Sequence, residues 1–501
     1  MGIRSFLAKP LASYVVARQE KWAKNPESSQ EKVFQTIIKQ AQHTIFGKEH
    51  DFAGIRTYAD FVQRVPIRDY EGFKPYIDQI MQGKEDVLWR GKPLYFAKTS
   101  GTTSGVKYIP ISRDSIHNHI NSARNALLNY IYETGNADFV DRKLIFLSGS
   151  PVLENKNGIL TGRLSGISNH HVPAYLRSNQ MPSWQTNCIE DWEEKLEKII
   201  DETLHADMSL ISGIPPWVQM YFDRIIARTG KKIKDVFPNF SVFVYGGVNF
   251  EPYKAKLFDS IGKKIDSIEL FPASEGFFAY QDKFYENHDG GMLLLLDTGI
   301  FYEFIPAEEY FSEKPTRLTI GEVELNKNYA LVLSSNAGLW AYSIGDTVKF
   351  VSKNPYRLIV TGRIKHFISA FGEHVIGEEV EKALKYALEQ FPETEVIEFT
   401  VAPQVTPAEG LPHHEWLIAF AKEPYDLEKF AQVLDKKMTE LNVYYDDLIS
   451  GAILRPLVIT RLQPNAFIEY MKSLGKLGGQ NKVPRLANDR KIADELYKWK
   501  I

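Results

Sequence analysis

The sequence predicts an α/β protein of two unequal domains, and three observations predict it. At about 100–200 residues per domain, a chain of 501 residues exceeds one ordinary core. After Ser100, apolar strand-like runs alternate with helix-length segments, the arrangement of a mostly parallel sheet. Past Thr361-Gly362-Arg363 the pattern changes to a compact α+β module with its own apolar positions. The composition, 44% hydrophobic and 25% charged, is that of a globular protein and excludes disordered, collagen-like and coiled-coil classes. A net charge of −3 supplies no bulk attraction for nucleic acid. The single cysteine, Cys188, cannot form an internal disulfide, so a reducing cytoplasm is the expected compartment.

Taken in order, the first hundred residues read as helices. The opening stretch through Trp22 reads as an amphipathic helix, since Lys9-Pro10 interrupts the apolar run a signal peptide needs. Phe6 stands where myristoylation of Gly2 would want Ser or Thr. Further helices are expected over Glu31–Gln42, Tyr58–Val62 and Tyr70–Met81. No apolar run approaches the roughly 20 residues needed to cross a bilayer, so a soluble, intracellular protein with no membrane partner is expected.

Strands are expected at Lys143–Leu147, Phe240–Tyr245, Ile265–Phe271, Met292–Leu296, Ala330–Leu333, Thr347–Val351 and Arg357–Val360. Helices are expected over Asp114–Glu133, Ile189–Leu204 and Pro216–Arg228. The close spacing between Met292 and Val360 suggests an antiparallel meander or small β-barrel. In the smaller module the expected order is helix Gly377–Gln390, strand Thr394–Val401, loop Pro403–Pro412 and strand Glu415–Ala421. Helix Asp426–Leu441, strand Ile453–Ile459 and helix Asn488–Lys498 complete it. The expected division is residues 1–364 and 365–501.

Four segments carry possible chemistry. Lys98–Lys107 crowds Ser100, Thr102, Thr103, two glycines (Gly101, Gly105) and Lys107 just ahead of a helix-forming segment. Such a loop can wrap phosphate oxygens or be a plain surface loop, and its spacing is not that of a Walker loop. Phe271-Pro272-Ala273-Ser274-Glu275 follows a buried strand, where a carboxylate can hold Mg²⁺ on a nucleotide or simply be solvated. Tyr245-Gly246-Gly247-Val248 ends another strand, and its glycines admit a flat ring or make a tight turn. In Tyr342-Ser343-Ile344-Gly345-Asp346, the carboxylate can accept both ribose hydroxyls or form an Asx turn.

Other templates fail. There is no G-x-S-x-G, H-E-x-x-H or G-x-G-x-x-G. The pairs His117/His119, His170-His171 and His413-His414 lack the remaining ligands of a zinc site. Trp217, Tyr245, Phe271 and Phe278 lie near the motifs and could line an acyl pocket or pack in the core.

The order of these segments, followed by Gly362-Arg363 and Lys482, resembles the adenylate-forming superfamily of acyl-CoA synthetases and luciferases. Within it, the chain most resembles the auxin-responsive Gretchen Hagen family of acyl acid amido synthetases. Ser100–Gly105 is similar to that family's phosphate loop. Tyr342-Ser343-Ile344-Gly345-Asp346 is similar to its Tyr-Arg-x-Gly-Asp, with Ser343 for Arg. Asn481-Lys482-Val483-Pro484-Arg485 is similar to its Tyr-Lys-x-Pro-Arg, with Asn481 for Tyr.

The resemblance implies a large adenylate-forming domain with a small β-barrel, a smaller mobile α+β domain, and ATP and Mg²⁺ as cofactors. It implies that a small-molecule carboxylic acid attacks ATP to give an acyl-AMP and pyrophosphate, and that an amine, an amino acid above all, then takes the acyl group. Ser100, Gly101, Thr102 and Thr103 would grip phosphate, and Lys107 would support the loop or the leaving pyrophosphate. Ser274 would meet the α-phosphate and Glu275 the Mg²⁺. Gly246, Gly247, Val248 and Phe271 would form the adenine slot. Asp346 would take the ribose, with Arg363 reinforcing ribose or phosphate. Lys482 would serve the adenylation step and Lys365 the domain pivot. Two alternatives remain at this level: an acyl- or aryl-CoA ligase using CoA as acceptor, and an inactive nucleotide-binding protein. No nucleic-acid partner is expected, and a monomer is compatible with this reading.

Overall fold

The computed structural model describes every residue except 1, 101–105, 173, 248–249, 285–289, 365–366, 369–374, 451–453, 477–482 and 488. The chain divides into two compact units, a large one (Met1–Asn249 with Leu257–Ile359) and a smaller one (Phe250–Lys256 with Val360–Ile501).

The large unit is built on an 11-stranded mixed sheet. Its parallel part runs from Gln180–Met181 through Lys143–Phe146, Met208–Ser212 and Val242–Gly246 to Asp266–Ala273. From Asp266–Ala273 onward the neighbours turn antiparallel, through Gly276–Tyr280 and Met292–Leu294 to Tyr356–Arg363. Tyr342–Lys353, Asn328–Ser335 and Ile300–Pro306 follow, so the antiparallel strands expected between Met292 and Val360 are continuous with the parallel ones. These strands read as unbroken apolar runs because helices or loops cover them; Ile300–Pro306 is buried at every position. At that strand, which ends the sheet, Gln30 and a backbone bridge between Phe304 and Leu318 take up the outer edge. The Gln30 amide donates to the carbonyls of Leu296 and Ile300, both at 2.9 Å, and accepts from Tyr302 N at 2.8 Å.

A four-stranded sheet in the same unit has the order Val106–Ile111, Tyr95–Ser100, Ile159–Gly162, Glu154–Lys156. Its first two strands correct an expectation: the Ser/Thr/Gly segment joins antiparallel strands, and the helix begins only at Ile116. Val106–Ile111 forms a strand despite Pro110 because it lies at the sheet's edge, where a missing N–H costs no ladder bond.

In the smaller unit, Glu395–Gln404 pairs antiparallel with His413–Lys422, which pairs parallel with Val458–Leu462. Helices Gly377–Gln390 and Leu427–Leu441 bury Leu384, Phe430 and Leu434 against Phe399, Trp416 and Phe420 on one face. Leu417, Leu462, Phe467 and Leu496 fill the other. The last strand lies later than the expected Ile453–Ile459 because Pro456 has no N–H for the ladder. Similarly, the helix expected from Ile189 starts at Trp192, where the Asp191 side chain accepts from Glu194 N at 2.8 Å.

Candidate active site

The Ser274-Glu275 pair forms the turn joining Asp266–Ala273 to the antiparallel Gly276–Tyr280. Because Asp266–Ala273 runs parallel to Val242–Gly246, the turn stands at the carboxyl end of the parallel strands, where open α/β sheets bind ligands. Asn118, buried on the Ile116–Thr134 helix, holds the hairpin from below. Its Oδ1 accepts from Phe277 N at 2.7 Å, while Nδ2 donates to Phe277 O at 2.9 Å and Thr298 Oγ1 at 3.0 Å. Glu275 is half-buried and accepts a hydrogen bond from the Tyr342 hydroxyl at 3.3 Å. Burial and then the neighbouring Glu275 carboxylate push the Tyr342 phenol well above its ordinary pKa, so it stays a neutral donor.

One strand over, Gly246 pairs with Leu270, and a Cβ there would lie 2.5 Å from the Leu270 carbonyl oxygen. Close approach of two strands thus requires this glycine. Gly247 has φ +80°, the left-handed region that glycine adopts freely. Phe271 is buried, with its ring 5.1 Å from that of Phe278. Trp217 packs on Trp192 at 4.8 Å and Tyr245 on Phe243 at 5.4 Å, so all four aromatics near the motifs have core partners. Val248 lies outside the described residues.

Asp346 corrects the Asx-turn reading. It sits within the strand Tyr342–Lys353, with Ser343 opposite Val332 and Thr347 opposite Ala330. Four steps on one strand face two on the other, so the chain bulges through Ile344-Gly345-Asp346, and Gly345 takes φ +82°. The bulge sets the direction of a buried carboxylate in mid-strand. Ser343, standing where the family has Arg, is buried and exchanges a 2.8 Å hydrogen bond with the Tyr310 hydroxyl.

The Ser100–Val106 pair closes the two strands around residues 101–105, so Gly101, Thr102 and Thr103 lie outside the described residues. Lys107 is described: its ammonium stands 5.6 Å from the Tyr70 ring centre. Tyr108 N donates to the Tyr70 hydroxyl at 2.9 Å, and Phe73, on the same Tyr70–Met81 helix, packs on Tyr342 at 5.5 Å. One helix therefore links the base of the Ser/Thr/Gly segment to the tyrosine that holds Glu275. Tyr70, Asn118 and the role of Tyr342 escaped the sequence reading. Each acts through a partner tens of residues or more away, which no local pattern records.

Arg363 is exposed at the end of Tyr356–Arg363, while Lys365 and Lys482 lie outside the described residues. The rest of the Lys-x-Pro-Arg segment is firmly placed within the smaller unit. Arg485 lies in ion pairs with Glu398 and with Glu381, the latter at 3.3 Å, and its guanidinium lies 4.7 Å from the Phe399 ring centre. The Pro484 carbonyl accepts from Thr400 Oγ1 at 2.7 Å, and the Arg485 carbonyl accepts from Val401 N at 2.9 Å.

Among the described residues no three His, Cys, Asp or Glu side chains cluster as a metal cage. A single carboxylate at Glu275 fits Mg²⁺, which takes one or two protein carboxylates and completes its shell with nucleotide phosphates and water. Lys195, in the same unit, was also missed. It is 2% exposed, and its ammonium donates to Ser148 O at 2.9 Å and Asn187 O at 2.8 Å. Burial, with Cys188 opposing and Arg163 assisting, brings its pKa down to about 8.

Three family models match the chain in order. They are the GH3 family N-terminal domain over residues 15–190, the central domain over 293–363 and the C-terminal domain over 378–491. A jasmonoyl–L-amino acid synthetase (JAR4) of Nicotiana attenuata is 21% identical, across 94% of this chain and 93% of its own. The indole-3-acetic acid-amido synthetase GH3.4 of Arabidopsis thaliana is 22% identical, across 96% and 94%. Among solved structures, the GH3.15 acyl acid amido synthetase superposes with a TM-score of 0.80 at 16% identity, covering 97% of this chain and 96% of that one. A 2-hydroxyisobutyryl-CoA ligase in its postadenylation state gives a TM-score of 0.63 at 13% identity, covering 95% and 92%. With its N-terminal, central and C-terminal domains all matched in sequence order, the chain belongs to the GH3 family, the Gretchen Hagen branch of the adenylate-forming enzymes.

Proposed function

We propose that this protein is an AMP-forming acyl acid amido synthetase that joins a small-molecule carboxylic acid to an amino acid. The acid's carboxylate attacks the α-phosphorus of ATP, forming an acyl–phosphate bond and expelling pyrophosphate. The amine then attacks the acyl carbon, an amide bond forms as the nitrogen releases a proton to solvent, and AMP leaves with the electron pair of the broken carbon–oxygen bond. Two anions must meet in the first step, so the enzyme's task is to neutralise and position charge rather than to supply a covalent nucleophile.

The observation that carries the reading is the Ser274-Glu275 turn at the carboxyl end of the parallel strands, with Glu275 held by neutral Tyr342. Glu275 is assigned to hold Mg²⁺, which would supply positive charge to the nucleotide's phosphates. Ser274 is assigned to the α-phosphate, and Ser100, Gly101, Thr102, Thr103 and Lys107 to the outer phosphates. The bulged strand supports giving Asp346 the ribose hydroxyls. Gly246, Gly247, Val248 and Phe271 are assigned to adenine, and Arg363 to ribose or phosphate. Lys482 is assigned to the reacting oxygens and Lys365 to the pivot. The lone Cys188 supports a cytoplasmic location, and the proposed reaction needs no enzyme thiol.

The test is product analysis with ATP, Mg²⁺, a panel of carboxylic acids and either the common amino acids or CoA. The expected products are AMP and an N-acyl amino acid. Thioester formation with CoA and no amide would replace the proposed acceptor with CoA, and no product from either would remove the assignment.

A further inference from the structure

We infer that the helix Ile3–Ala23 docks this protein on an anionic bilayer surface, lying in the interface without crossing it. One face of the helix is committed to the large unit: Ser5, Ala12, Val15, Val16 and Gln19 are buried. Asp141 fixes its start, accepting from Gly2 N at 2.8 Å and Ser5 N at 3.3 Å. The opposite face is apolar and open. Ile3 is 81% exposed, Phe6 67%, Leu7 60%, Leu11 42% and Tyr14 60%. Their spacing, i, i+3, i+4, i+8 and i+11, places them along one stripe. A contiguous apolar stripe on a helix whose other face is already packed marks an interaction surface rather than scattered exposure.

Charge identifies the occupant. From Ile3 to Lys24 the chain carries Arg4, Lys9, Arg18, Lys21 and Lys24 against one acid, Glu20, although the whole protein has a net charge of −3. Lys9, Arg18, Lys21 and Lys24 are exposed. From Tyr14 the stripe continues at i+4 and i+7 into Arg18 and Lys21, and Lys9 borders Phe6. Aliphatic and aromatic side chains flanked by lysine and arginine suit the headgroup boundary of an anionic leaflet: the apolar groups enter the acyl region while the cations stay with the phosphates. A second copy of this chain would set two like-charged faces against each other, which disfavours self-association. Among the described residues no helix is long and apolar enough to cross a membrane. The expectation of no membrane partner rested on spanning length, an interrupted signal-like run and a failed myristoylation pattern, none of which reaches a helix lying on the surface.

The test is co-sedimentation of the full chain with vesicles of phosphatidylcholine alone or enriched in phosphatidylserine, alongside the double variant Phe6→Glu/Leu7→Glu and sedimentation velocity without lipid. Because both positions are exposed, the variant should melt at the wild-type temperature. The wild type should bind the anionic vesicles at least about tenfold more tightly than neutral ones, with binding weakened by salt, and the variant should lose about tenfold or more. Equal binding to both vesicle types, full retention of binding by the variant, or a wild-type dimer that the variant abolishes would each overturn the proposal.

Discussion

At Lys195 the fold buries an ammonium group and gives it two carbonyl oxygens, those of Ser148 and Asn187. The pKa of about 8 follows from burial and the nearby Arg163. Since the ordinary value is about 10.4, the unfolded chain binds more protons here than the folded one between these limits. Stability from this group therefore rises with pH from about 8 to about 10.4, and it is lost again as pH falls through 8. A neutral amine keeps two N–H donors, so both carbonyls stay satisfied after deprotonation. The wild type should gain stability over Lys195→Met as pH rises from 7.5 to 9.5, about 1–2 kcal/mol by urea unfolding. A constant difference would mean that Lys195 titrates normally. No local pattern announced this residue, since a lysine on a polar-looking helix reads as solvated. The place of Glu275 at a strand end was readable because a buried strand directly precedes it. Its partner Tyr342 acquires its role only through the tertiary fold.

Among elements, the Asp266–Ala273/Gly276–Tyr280 hairpin shows how a turn can be held by a distant helix. Replacing Asn118 by Ala leaves the N–H and carbonyl of Phe277 without their partner in a buried place, which costs about 2–4 kcal/mol in all. The turn two residues away loses its support as well. Asn118→Ala should therefore lower the unfolding midpoint and raise the Mg²⁺ concentration needed for half-maximal ATP binding. Calorimetric titration at fixed ATP reads the second effect, and an unchanged Mg²⁺ requirement would limit Asn118 to a structural role. Long amphipathic helices and buried parallel strands were legible in the sequence to within a few residues. Short strands with mixed patterns were not: Val106–Ile111 carries Lys107, Tyr108 and Pro110, which read as loop until its pairing with Tyr95–Ser100 is known. The bulge at Gly345 was hidden for a similar reason, because it is defined by the partner strand.

For the whole molecule, the two-part organisation was legible because helix–strand alternation gives way to a different pattern near residue 360. The recruitment of Phe250–Lys256 into the smaller unit was not. Tyr253 explains it: its hydroxyl donates to Glu398 at 3.1 Å and its ring lies 5.6 Å from the Arg485 guanidinium, contacts invisible in a one-dimensional pattern. Arg485 and Pro484 fix the segment that Lys482 precedes, so substituting Lys482 should spare the fold. Lys482→Ala should keep ATP binding within a few-fold and lower the adenylation rate at least about a hundredfold, as expected for a charge acting at the reacting oxygens. Near wild-type pyrophosphate release by this variant would sink its assignment. Reversible activation of a carboxylate by ATP can be read most directly from acid-dependent exchange of labelled pyrophosphate into ATP with no amine present. Exchange should require Mg²⁺ and a cognate acid and should collapse in Glu275→Gln; absence of amine-independent exchange across a broad acid panel would mean that the protein does not activate carboxylates in this way.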